Sequence, residues 1–203
     1  MERMVARDRF VGIVSGHMGA GKSYYFKFLT SLPENKGPCV FTLSKDRVIA
    51  KYFGKKFDGW PKEDCSQGRL LAIFNEMVSQ ERIYADELFR IDVERAILAS
   101  GAEKVLLDMS MRDREKHQEP FVAMVRKTEH MLRLIATEHA TKQGLLPPDP
   151  APSIHLRVAF LFCNFETIRK RMAARWPHIP KDELPAPVIM TMSDFQIPTA
   201  YPF

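Results

Sequence analysis

The chain has 203 residues, 45% hydrophobic and 27% charged, the proportions of a folded globular protein in which residues 1–203 form one domain. No run approaches the ~18 consecutive apolar residues that a membrane-crossing helix requires, and the charged start, Met1-Glu2-Arg3, lacks the apolar core of a secretion signal, so the expectation is a cytoplasmic protein with no membrane partner. A formal charge of +5 favours an anionic partner and fits nucleic acid, nucleotides and phosphorylated metabolites alike.

Residues 10–15, Phe-Val-Gly-Ile-Val-Ser, are a short apolar run that predicts a buried parallel strand. The eight residues after it, Gly16-His17-Met18-Gly19-Ala20-Gly21-Lys22-Ser23, spell G-x-x-x-x-G-K-S, the phosphate-cradling Walker A pattern. Residues 22–32 then carry Tyr25, Phe28, Leu29 and Leu32 at helical spacing, and Pro33 closes the helix. A second strand is predicted at 39–43, followed by Ser44-Lys45-Asp46, and Asp58-Gly59-Trp60-Pro61 marks a loop. From 69 to 100 the pattern is helical, with Gly101 as its C-terminal cap. Val105-Leu106-Leu107-Asp108 is a third strand ending on a carboxylate, and 112–140 is one long helix, or two interrupted near Pro120.

The segment 143–152 holds too many prolines for a regular element and reads as a loop. A fourth strand is predicted at 156–162 and a short basic helix at 166–175; the proline-rich tail from Trp176 reads as irregular. The three cysteines, Cys39, Cys65 and Cys163, are too far apart for a zinc site or a disulfide framework. Cys39 and Cys163 sit in apolar runs and read as small buried hydrophobes. Strands separated by helices in this way indicate an α/β fold, a parallel sheet with helices on both faces, whose ligands bind beyond the carboxyl ends of the strands.

That rule brings the polar candidates to one place. Gly16, Gly19 and Gly21 allow successive amides to point at phosphate oxygens, and the helix behind them adds its positive end. Lys22 reaches the β- and γ-phosphates of ATP or GTP, and the Ser23 hydroxyl ligates Mg²⁺. His17, Met18 and Ala20 complete the nucleotide-binding loop. Asp108 is placed to hold the magnesium through water or to orient an acceptor; as a strand-end carboxylate it also suits a helix cap. Asp46 is placed to take the proton of an acceptor hydroxyl, although it suits a helix start equally well. Arg171 and Arg175, four apart on one helix, share a face and suit the stabilisation of a phosphoryl group in transfer.

These motifs, in this order, resemble the P-loop kinases related to the kinase domain of phage polynucleotide kinase and to zeta toxins, a group often labelled AAA-domain ATPases. The resemblance runs from the Walker loop through Leu43-Ser44-Lys45-Asp46, Ala99-Ser100-Gly101 with 105–108, and Arg112 to Phe121. It continues through 158–162 with Glu166 to Arg175, and ends at Ser193-Asp194-Phe195-Gln196-Ile197-Pro198. It implies a P-loop kinase fold with an arginine-bearing lid at about 164–180. It also implies Asp46 as general base, and Arg171 with Arg175 on the donor phosphates. Ile49 stands where the family often has an arginine three residues after the base. The expected activity is transfer of the γ-phosphoryl group of ATP or GTP, with Mg²⁺, to a hydroxyl of a nucleic acid or nucleotide. The rival readings are a zeta toxin-like kinase acting on a nucleotide sugar and a nucleotide-hydrolysing switch with no acceptor. Met109 beside Asp108, where a motor ATPase would carry a second carboxylate, speaks against the switch.

Overall fold

A computed structural model describes residues 7–16, 19–53, 77, 79–111 and 114–175. In chain order these form β1 (Arg9–Gly16), α1 (Lys22–Ser31), a 3-10 turn (Pro33–Asn35), β2 (Val40–Ser44), α2 (Lys45–Phe53) and α3 (Ser79–Leu98). There follow β3 (Lys104–Asp108), a π-helical turn (Arg114–Gln118), α4 (Glu119–Lys142), β4 (Ile154–Leu161) and α5 (Phe165–Arg175).

The four strands form one sheet in the order β2-β3-β1-β4, and every pairing is parallel. β1 is therefore central, and its second half, Ile13 to Gly16, is buried throughout. This explains its unalternating apolar sequence, since a strand covered on both faces has no solvent side to mark with polar residues. The register pairs Val14 with Asp108 and Gly16 with Leu161.

The chain reaches β2 by crossing over β3, returns to β3, and then crosses over β1 to β4. Right-handed crossovers put the helix of the first connection on one face and those of the next two on the other. Packing agrees with this. Val11, Ile13, Val105 and Leu107 form one core with Phe89, Val93 and Ile97 of α3 and Phe121, Val125 and Leu132 of α4. A smaller cluster joins α2 to α3 through Ile49, Ala50, Phe53 and Ala85. On the opposite face α1 lies against β1 and β3. It buries no residue, and Tyr24 and Phe28 are exposed, so the apolar spacing over 22–32 did not mark a core stripe.

Other boundaries shift for local reasons. The interruption expected near Pro120 is seen as a change from the π-helical turn at Arg114–Gln118 to α4, which has Pro120 in its first turn. The helix expected over 69–100 is seen as α3 from Ser79. Its first part, with the Asp58–Pro61 loop, Cys65 and the tail from Trp176, lies outside the described residues. Gly101 follows α3 at a φ of 88°, as a C-terminal glycine should. Cys39 and Cys163 flank β2 and β4 and are half-buried, so neither is a core hydrophobe. Among the described residues no helix is long and apolar enough to cross a membrane.

Candidate phosphate site at the carboxyl ends of the strands

β1 delivers the chain to the loop at Gly16, where φ is 149°. A β-carbon there would lie 2.5 Å from the Leu161 carbonyl oxygen of β4, so the strand can enter the turn this closely only without a side chain. Gly19 and Gly21 follow with φ of 82° and 98°. Ala20 lies half-buried between them. Gly21 caps α1 in the left-handed conformation, with no side-chain cap and no acidic residue in the first turn. No side chain caps the amide end of α1, an end that the helix dipole makes favourable for an anion. His17 and Met18 lie outside the described residues.

Asp108 closes β3 directly beside β1 and is only 9% exposed. Burial is the largest influence on its carboxyl, pushing the pKa up to about 6 from an ordinary 3.8. The Lys22 ammonium opposes that rise, the neighbouring Asp46 carboxylate adds to it, and a hydrogen bond with the Ser23 side chain lowers it. The hydrogen bond puts Ser23 of α1 in contact with Asp108, the β2–β3 register pairs Ser44 with Asp108 two residues before Asp46, and the Lys22 charge acts on the same carboxyl, so the starts of α1 and α2 flank the end of β3. Asp46 follows Lys45, whose ion pair with Asp86 fastens the start of α2 to α3.

Arg171 approaches from α5. That helix starts with Asn164, whose side-chain oxygen accepts the Thr167 amide at 2.8 Å, and it is anchored by buried Ile168. One turn on, the Arg171 guanidinium Nη1 donates to the carbonyl oxygen of Gly19 at 3.0 Å. The guanidinium thus lies against the loop at Gly19 and close to Gly21. Arg175 is the last residue of α5, and its side chain lies outside what is described.

The donor set suits magnesium bound together with phosphate. Among the described residues no group of three or more His, Cys, Asp or Glu converges on an ion-sized space. Magnesium needs no such cage, because it keeps its waters and is usually held by one or two carboxylates plus substrate phosphates. Ser23 hydrogen-bonded to Asp108, at the mouth of a glycine cradle, fits that pattern.

Some contributors carry no signal in the sequence. Ser15 is fully buried, and its hydroxyl accepts the Met111 amide at 2.9 Å, tying the segment after Asp108 to β1. Gln118, buried in the π-helical turn, donates to the Met111 carbonyl at 2.8 Å. Ile49, where an arginine stands in the resembling family, is fully buried in the α2–α3 cluster and faces away from solvent. No protein-family model matches the chain, and no curated protein matches it.

Proposed function

We propose that this protein is a P-loop kinase that moves the terminal phosphoryl group of ATP or GTP, with Mg²⁺, onto a hydroxyl group. The observation that carries the reading is the meeting of Lys22, Ser23, Asp46 and Asp108 beside a positive-φ glycine loop. A phosphate loop alone serves any nucleotide-binding protein. The second carboxylate, Asp46, gives this one a group for an acceptor, because it comes from a different strand end than Asp108 and stands across β3 from the loop.

The roles follow from position. Gly16 to Ser23 hold the phosphates on backbone amides, and Lys22 neutralises the terminal ones. Ser23 and Asp108 would hold magnesium, which when bound would neutralise charge on the phosphates. Asp46 takes the proton of the acceptor hydroxyl as its oxygen bonds to the terminal phosphorus. The bond from that phosphorus to the bridging oxygen breaks, and the nucleoside diphosphate leaves. Arg171, already at the loop, and Arg175 on the same helix face would compensate the negative charge of the moving group, and α5 would act as the lid.

The charge of +5 fits an anionic acceptor, and we take a nucleic acid end or a nucleotide as the first candidates. The test is transfer of label from γ-labelled ATP or GTP to DNA ends, RNA ends, nucleotides and nucleotide sugars. Labelled product with one acceptor class, lost in Asp46→Ala while nucleotide binding persists, supports the reading. Hydrolysis that no acceptor accelerates, and that Asp46→Ala leaves intact, would overturn it.

A further inference from the structure

Beyond Asp108 the chain runs Met109-Ser110-Met111 along the end of β1. The Met109 amide donates to the Val14 carbonyl at 3.3 Å and the Met111 amide to Ser15 Oγ at 2.9 Å, so this stretch is held against β1 after the strand pairing stops. Val14 pairs with Asp108. Two residues further along the same register, Ser110 comes level with Gly16, the first glycine of the loop. Leu107, Met109 and Met111 all enter the core under α3 and α4. Alternation therefore turns Ser110 to the other side, the side of Asp108.

There the Ser110 hydroxyl is shut off from solvent and has no hydrogen-bond partner among the described residues. Among the described residues it is the buried side-chain oxygen or nitrogen left in that state. Such a group is costly, because the hydroxyl loses water and gains nothing in return, whereas an alanine would fill the same space without the loss. β3 lies between β1, which feeds the loop, and β2, which leads to Asp46. A hydroxyl at its end stands between the phosphate cradle and the acceptor carboxylate.

We propose that Ser110 is a further binding residue of this site, its hydroxyl donating a hydrogen bond to an oxygen of the terminal phosphoryl group of a bound nucleoside triphosphate. The inference rests on the reading of the loop as a triphosphate site, and it adds a residue that no motif contains. It distinguishes nucleotides by their phosphate number: a triphosphate completes the hydrogen bond and a diphosphate does not.

The experiment is calorimetric titration of wild-type protein and Ser110→Ala with Mg²⁺ and either ADP or a non-hydrolysable ATP analogue, with the melting temperature of each nucleotide-free protein measured alongside. A hydrogen bond to a charged oxygen predicts that Ser110→Ala binds the ATP analogue about tenfold or more weakly, and ADP as wild type does. Its melting temperature without nucleotide should equal or exceed that of wild type, because an unsatisfied hydroxyl has been removed. Ser110→Thr, which keeps the hydroxyl, should retain more of the triphosphate affinity than alanine does. Equal losses for both nucleotides, a lowered melting temperature or failure to fold would make the residue structural and overturn the proposal. Unchanged affinity for both would overturn it too. Wild-type protein that binds neither nucleotide, indistinguishable from Lys22→Ala, would remove the underlying reading and Ser110 with it. Wild-type binding that Ser110→Ala leaves intact removes Ser110 alone.

Discussion

Asp108 shows how far one residue's surroundings set its chemistry. Its carboxyl is pushed up to about 6 mainly because β3 buries it, against the pull of Lys22. The folded chain therefore holds this proton more tightly than the unfolded chain, whose pKa lies near 3.8. By linkage, without magnesium, this residue's contribution favours folding below about pH 4 and is lost as pH rises through about 6. The shift of about two units corresponds to at most about 3 kcal/mol, at 1.4 kcal/mol per unit. Asp108→Asn should remove this component and raise the metal-free melting temperature at pH 7.5, while abolishing phosphoryl transfer. Denaturation across pH 4 to 8 in a chelator checks the first outcome. A second residue-scale expectation concerns Gly16. Its β-carbon would meet a backbone oxygen of β4 at 2.5 Å, so Gly16→Ala must displace the strand end or the loop. A loss on the order of 1–3 kcal/mol in urea unfolding is expected, together with weaker nucleotide binding.

At the scale of elements, α2 and α5 were only half legible. The sequence shows Asp46 at a helix start and Arg171 on a basic helix. It does not show that the first shares a neighbourhood with Asp108, or that the second reaches Gly19. Those contacts join residues 62 and 152 positions apart, and local periodicity carries no information over such distances. Arg171→Ala should cut transfer by about tenfold or more, as expected for a lost guanidinium contact to phosphoryl charge, without lowering the melting temperature, since the lost bond lies at the surface; single-turnover kinetics beside a thermal scan separates the two. Ile49 makes the converse point. The family resemblance singled it out, three residues beyond the proposed base, where the family often has an arginine, but packing puts it in the interior. Ile49→Arg should therefore cost at least about 3 kcal/mol in chemical denaturation rather than improve acceptor binding, because it buries a charge without a partner.

At the scale of the whole molecule, strand order decides which residues emerge together at one edge of the sheet. Because β3 lies directly beside β1, Asp108 and the glycine loop emerge next to each other, and β2 brings Asp46 to the far side of the same edge. A triphosphate held there would bridge β1, β3, α1 and α5. Bound at 100 times its dissociation constant, Mg²⁺ with ATP or GTP should stabilise the fold by about 2.7 kcal/mol. A matching rise in melting temperature, absent in Lys22→Ala, is the outcome to look for.

Four strands, the glycines that follow the first, and the alternation of strands with helices are legible in residue order alone. Each of these is written in neighbouring residues: an apolar run, a cluster of glycines after it, and a change of hydrophobic period. Folding brings Lys22, Ser23, Asp46 and Asp108 to the same strand ends, leaves α1 without a buried residue, makes Ile49 interior and leaves the Ser110 hydroxyl without a partner among the described residues. Such facts depend on strand order and on which face each crossover covers. Burial and partner choice arise between segments far apart in the chain, so no local pattern of residues encodes them.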